Sequence, residues 1–291
     1  MSGPLTSPES SHSLPSSLEF YLGSHMPHWL AIQGIPSLFI SHRRLANRRT
    51  LPRATGSWAL DSGGFSELSL YGGWRTTPKE YVAAVRRYDD EIGSLAWAAP
   101  QDWMCEPHML AQTGKSVAEH QRLTIDNFRT ITDLWWAGKT GWGPDAWRDW
   151  PDMCPFMPVL QGWHLDDYRR HADAYYAVGI ELECYPLVGL GSVCRRQNTT
   201  GVERLIREFT PWLALHGFGV KTLGLERVGH RLESADSMAW SLNGRHTPGC
   251  GSGHRNEANC LQFALRWREK TLARVGVSSD VEQMSLFSGS A

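Results

Sequence analysis

Residues 59–65 read Ala59-Leu60-Asp61-Ser62-Gly63-Gly64-Phe65, an apolar run that passes without a break into a carboxylate and a two-glycine loop. A charged side chain is thereby set at the mouth of a sheet, beside glycines that let backbone approach a ligand closely. Three more apolar runs end in polar or glycine-bearing loops: Ala98-Ala99-Pro100-Gln101-Asp102-Trp103-Met104-Cys105, Pro158-Val159-Leu160-Gln161-Gly162-Trp163 and Val188-Gly189-Leu190-Gly191-Ser192. Functional groups gathered where strands end and helices begin are the pattern of a parallel α/β barrel.

Outward from these four points, short apolar or β-branched runs alternate with helical patterns, as repeated β-then-α units demand. Strands are expected over 37–41, 58–61, 95–99, 156–161, 187–191, 218–222 and 234–240. Thr77-Pro78 opens a helix in which Tyr81, Val82, Val85, Tyr88 and Ile92 share one face, and Ser116 with Glu119 forms a capping box for the next. A helix over 165–178 ends at Gly179 and one over 202–215 ends near Gly217. Seven or eight such units suit a closed (β/α)8, TIM-like barrel; an open doubly wound sheet gives a similar pattern, but no Gly-x-Gly-x-x-Gly follows the first strand. The Ser- and Pro-rich residues 1–17 read as a disordered tail, 18–275 as the barrel with a zinc-binding segment at 243–262, and 276–291 as a second flexible tail.

The chain has 291 residues, of which 41% are hydrophobic and 20% charged, enough apolar surface for a full core. No apolar run reaches the ~18 residues of a membrane span, and the N-terminus lacks the basic start and apolar centre of a signal peptide. A cytoplasmic protein with reduced thiols is expected, and Cys105, Cys154, Cys184 and Cys194 read as buried thiols. The net charge of −1 excludes a uniformly basic protein, yet 24 Arg stand against 5 Lys. The densest basic group contains Arg43, Arg44, Arg48 and Arg49, a candidate phosphate-contact surface.

The four strand ends, in this order, resemble the queuine and archaeosine tRNA-guanine transglycosylase superfamily, Asp61-Ser62-Gly63-Gly64-Phe65 being the most specific piece. Ser234-Ala235-Asp236-Ser237-Met238-Ala239-Trp240 falls where that superfamily places its catalytic aspartate. Ser66 after the phenylalanine, the altered metal pattern and the shorter chain look more like the DNA-modifying, DpdA-like branch, which inserts 7-deazaguanines into DNA. The resemblance implies base exchange at C1′ of a nucleotide, with Asp236 as nucleophile and Asp61 as general acid and then base. It also implies a base-binding set of Ser62, Gly63, Asp102, Gln161, Gly189 and Gly191. Asp102 suits the N1–H and 2-amino group of a guanine-like base, and Gln161 with the Gly191 backbone suits O6 or a 7-substituent. Free 7-cyano-7-deazaguanine is the implied donor, and DNA the implied acceptor. The alternatives are the same chemistry on tRNA, or a non-catalytic zinc-stabilised nucleic-acid-binding protein.

His246-x3-Cys250-x3-His254-x5-Cys260 gathers four ligands suited to structural Zn2+. The relatives carry a zinc site in this region built from three cysteines and one histidine. Near the C-terminus, Gln283-Met284-Ser285-Leu286-Phe287 sits in a polar stretch and looks like the pentapeptide that docks on a bacterial sliding clamp, through Gln283, Leu286 and Phe287.

Overall fold

The computed structural model describes residues 17–137, 154–194, 196, 199–251 and 253–275. Eight parallel strands form one sheet: β1 (Glu19–Ser24), β2 (Leu38–Ser41), β3 (Trp58–Asp61), β4 (Leu95–Ala98), β5 (Val159–Leu160), β6 (Val188–Leu190), β7 (Leu215–Gly217) and β8 (Ser234–Ser237). The order is β4-β3-β2-β1-β8-β7-β6-β5, so neighbours in sequence are neighbours in space and the first strand lies beside the last. A parallel bridge between Ala98 and Phe156 brings the two edges of the curled sheet together.

Alternation along each strand sorts the core into two layers. Phe20, Leu22, Leu38, Ile40, Trp58 and Leu60 point outward and pack with the surrounding helices. Tyr21, Ala59, Trp97, Ala99 and Met157 point inward, with Phe39 and Phe218 against them. Both faces of the strands are therefore apolar, as a parallel sheet covered on both sides requires. The helices named below are α1 (His42–Leu45), α2 (Gly64–Tyr71), α3 (Pro78–Glu91), α4 (Pro107–Thr113), α5 (Val117–Ala137), α6 (Leu165–Ala177), α7 (Thr199–Phe209), α8 (Thr222–Val228), α9 (Ala239–Arg245) and α10 (Leu261–Val275). Thr77 and Glu80 form the capping box of α3, and Ser116 and Glu119 make the reciprocal bonds at the start of α5.

Four local expectations are corrected. The 202–215 helix ends at Phe209, because Pro211 cannot continue it, and Leu215 belongs to β7. The strand expected over 218–222 is therefore β7, several residues earlier, where His216 interrupts the apolar run. Strand β1, absent from the expected set, lies where the Ser- and Pro-rich tail stops. Cys105 and Cys154 are buried, but Cys184 is exposed and Cys194 only half-buried. Cys184 sits on a short 3-10 turn, its thiol directed at the Glu181 carboxylate.

Candidate functional site

A cleft of about 660 Å3 opens at the C-terminal ends of the strands. Asp61 arrives from β3, Asp102 from the segment after β4, Gln161 from the end of β5, Gly191 and Ser192 from the end of β6, and Asp236 from β8; all of them line it, as does Ser62. Parallel strands end on the same side of a barrel, which is why residues 175 positions apart in sequence, Asp61 and Asp236, meet there.

Gly63 has φ +83°, a left-handed conformation that favours glycine, and its N–H donates to Asp61 Oδ1 at 3.0 Å. A Cβ at this position would lie 2.9 Å from Arg43 Cγ, so the glycine also makes room for that side chain. Arg43 reaches past it to Glu67, 3.1 Å away and nearly buried, whose other oxygen accepts the Arg75 N–H at 2.8 Å. Arg43 and Arg44 both line the cleft. Arg48 and Arg49 do not; their carbonyls accept from the Arg87 guanidinium at 3.0 and 3.1 Å.

Burial pushes the Asp61 carboxyl above its ordinary range, opposed by the Gly63 N–H and the Ser41 hydroxyl and reinforced by the negative charge of Asp236. Burial raises Asp102 to about 7, with the Gln161 amide opposing and the Asp61 and Glu106 carboxylates adding to the rise. Gln161 donates from Nε2 to Asp102 Oδ2, while its Oε1 lies 2.6 Å from Ser192 Oγ. Its main chain is pinned as well: the N–H donates to His171 Nδ1 at 2.8 Å and the carbonyl accepts from Gln121 Nε2 at 2.7 Å. Ser192, a non-glycine at φ +53°, also meets Glu106 Oε2 at 3.0 Å and accepts the Cys105 N–H at 2.7 Å. Backbone held in a left-handed conformation at a cleft of polar groups is strain of the kind that clusters at functional sites.

Asp236 Oδ1 accepts the Gly219 N–H at 2.8 Å and faces His216 Nε2 at 3.3 Å. Four carboxylates, those of Asp61, Asp102, Glu106 and Asp236, and the Gln161 amide thus surround one space, the equipment for acid–base work on a polar planar ligand. Residues 17–285 match the family described as DpdA, DeoxyPurine in DNA protein A. The chain belongs to the DpdA family.

No curated protein matches the chain. Among solved structures, a candidate fructose-1,6-biphosphate aldolase from Coccidioides immitis is similar at 9% identity and a TM-score of 0.46, covering 93% of this chain and 98% of that one.

The match to DpdA spans every residue of the cleft and of a second cluster. Ligand atoms of Cys250, His254, Glu257 and Cys260 lie within 4.8 Å of one another. The Cys250 Sγ is 3.7 Å from His254 Nε2 and 4.0 Å from Cys260 Sγ, and His254 Nε2 is 3.2 Å from Glu257 Oε2. Edges of roughly 3.3–3.8 Å surround a tetrahedral ion whose bonds are about 2.0–2.3 Å long, so this donor set fits a metal. His246, expected as the fourth ligand, is not among them. It follows the last turn of α9 with its side chain exposed, its N–H bonded to the Asn243 carbonyl. Glu257 takes the place because Gly244 packs directly on its backbone: a Cβ at 244 would lie 2.6 Å from the Glu257 carbonyl carbon.

Gly189 is set inside the barrel below the cleft, where a Cβ would meet Phe218 at 2.6 Å and Val159 at 2.9 Å. Gln283, Leu286 and Phe287 lie outside the described residues. The site residues that sequence reasoning missed are Glu106, Ser192 and His216. Glu106 carried a signal, standing four positions after Asp102 on the same loop; His216 was hidden by the misplaced strand.

Among the described residues no helix is long and apolar enough to cross a membrane.

Proposed function

We propose that this DpdA-family chain is a DNA-guanine transglycosylase, a pentosyltransferase that exchanges guanine in DNA for a 7-deazaguanine through a covalent aspartyl-nucleotide intermediate. Family membership supports a DNA-modifying, transglycosylase-like role. The observation that carries the finer reading is that Asp61, from the end of β3, and Asp236, from β8, line one cleft together. Two carboxylates with different environments are what a two-step displacement at an anomeric carbon needs.

Asp236 attacks C1′ as the bond to guanine N9 breaks, and Asp61 protonates the departing base. Asp61, now ionised, accepts the N9 proton of the incoming 7-deazaguanine, such as 7-cyano-7-deazaguanine, as that nitrogen displaces Asp236. Asp102 accepts from the N1–H and 2-amino group, with Gln161 and the Gly191 backbone beside O6 and the 7-substituent. Ser62 and Gly63 shape the cleft wall near C1′. A stacked guanine hides C1′, so the nucleotide enters flipped out or single-stranded. Arg43 and Arg44 contact the DNA phosphates.

The Cys250, His254, Glu257 and Cys260 set would hold Zn2+ in a structural role, tying the segment after α9 to the barrel; a donor set with two thiolates and a histidine suits such an ion. Binding of the Gln283–Phe287 tail to a sliding clamp would raise the local concentration of the enzyme at new DNA.

Labelled guanine offered with DNA or with tRNA tests the reading. Incorporation into DNA, lost in Asp236→Ala, is the expected result. Exchange into tRNA alone would assign the same chemistry to RNA, and normal DNA binding without exchange under any donor would make the chain a binding protein.

A further inference from the structure

One buried group has no part in the steps above. His216, on β7, has its side chain wholly enclosed by the rings of Trp97, Phe218, Phe39 and Tyr21, with centroids 4.5, 4.6, 6.0 and 6.2 Å away. A polar ring in such a cage costs stability unless its nitrogens are satisfied. Both are: Nε2 faces Asp236 Oδ1 at 3.3 Å and Nδ1 faces Ser234 Oγ at 2.9 Å. An ionised carboxylate only accepts, so Nε2 carries the proton, and Nδ1 accepts from the Ser234 hydroxyl. Burial holds the imidazole pKa below its ordinary value against the upward pull of Asp236.

Together with the 2.8 Å bond from the Gly219 N–H, this gives Asp236 Oδ1 two donors, while among the described residues no hydrogen bond falls on Oδ2. A carboxylate so held has one occupied oxygen and one open to the cleft. We propose that His216 is a positioning residue that commits Oδ1 of Asp236 to hydrogen bonding, leaves Oδ2 to attack C1′, and steadies the carboxylate when it departs. This rests on the transglycosylase reading. In the first step the Oδ2–C1′ bond forms, the C1′–N9 bond breaks with its electron pair going to N9, and Asp61 supplies the proton. In the second, N9 of the incoming base bonds to C1′, its proton passes to Asp61, and the Oδ2–C1′ electron pair returns to Asp236. Negative charge then reappears on a carboxylate whose Oδ1 already faces two fixed N–H groups. The donors weaken the nucleophile slightly in the first step and favour the leaving group in the second, so their loss falls on resolution of the intermediate.

The test is a chase. Full-length enzyme is mixed with guanine-containing single-stranded DNA, the adduct is followed on denaturing gels, and free 7-cyano-7-deazaguanine is then added. His216→Phe keeps a ring in the cage without a donor, and Ser234→Ala frees Nδ1 while changing little volume. Resolution of the adduct is expected to slow roughly 10- to 100-fold in His216→Phe and less in Ser234→Ala, with KM for the free base unchanged within about twofold. His216→Gln, which retains an N–H donor, is expected to recover part of the rate. Wild-type resolution in Ser234→Ala and in folded His216→Phe overturns the role of His216; if His216→Phe does not fold, Ser234→Ala decides alone. Absence of any adduct in the wild type would instead overturn the covalent reading itself.

Discussion

Gly191 leaves open the space that the Gln161 side chain fills: a Cβ at 191 would stand 2.7 Å from Gln161 Cδ. The amide lies against bare backbone at the end of β6 and from there reaches both Asp102 and Ser192. Gly191→Ala must therefore displace Gln161. Calorimetric titration with free 7-deazaguanine is expected to show at least a tenfold loss of affinity, with a stability loss of about 1–3 kcal/mol from overpacking. Wild-type affinity in a folded Gly191→Ala protein would remove Gln161 from the base site.

Asp102 must be ionised to accept from two N–H groups of a base, and burial raises it to about 7. Affinity for the free base is expected to rise about tenfold per pH unit below that value and to level off above it. Protein stability moves the other way. The folded carboxyl binds its proton more tightly than the unfolded one, so this residue's contribution is full below the ordinary carboxylate range and is lost as pH rises through about 7. Asp102→Asn should flatten the affinity profile and remove this residue's part of the stability profile, as followed by titration and thermal melts from pH 5 to 9.

The metal cluster distinguishes Glu257 from His246. Cys250→Ser and Cys260→Ser are expected to lose the bound metal, measured by elemental analysis of protein purified without chelator, and to melt at lower temperature because metal binding is coupled to local folding. Glu257→Gln should weaken retention, whereas His246→Ala should keep one equivalent. Loss of metal in His246→Ala with retention in Glu257→Gln would restore the histidine as the fourth ligand.

Among the arginines, the cleft position of Arg44 and the distance of Arg48 and Arg49 from it give unequal expectations. Arg44→Glu should weaken DNA binding and reduce the salt slope by about one phosphate contact. Reversal at Arg48 and Arg49 should have a smaller effect. Arg43 is a poorer probe, because its removal leaves the nearly buried Glu67 without its cation. Equal effects at all four positions in fluorescence anisotropy titrations would favour one broad basic surface.

A peptide of residues 279–291 is expected to bind purified sliding clamp, and Leu286→Ala with Phe287→Ala in the full chain should abolish clamp binding while sparing base exchange on short DNA. No binding by either form would reject the tail as an anchor.

Much of this molecule is local and so could be read from sequence. Thr77-Pro78 and Ser116-x-x-Glu119 cap helices through bonds that span three residues, and the Asp61-Ser62-Gly63-Gly64-Phe65 turn carries its own chemistry because a left-handed glycine and an Asx contact are near neighbours in the chain. Strand ends followed by polar residues announced a barrel with its site at one end. What only the tertiary structure decided depends on pairs far apart in sequence. His216 fell between an expected helix and an expected strand, and acquired a role only when β7 was set beside β8 with Asp236 within reach. Ser192 and Glu106 became neighbours only when the segments that follow β4 and β6 met at the barrel mouth. Glu257, not His246, stands in the cluster with Cys250, His254 and Cys260, where α9 packs at Gly244 against the turn that carries the glutamate, and nothing in the spacing of histidines and cysteines encodes that contact. Spacing reports which residue types are present, whereas burial and closure of the sheet determine which atoms face each other.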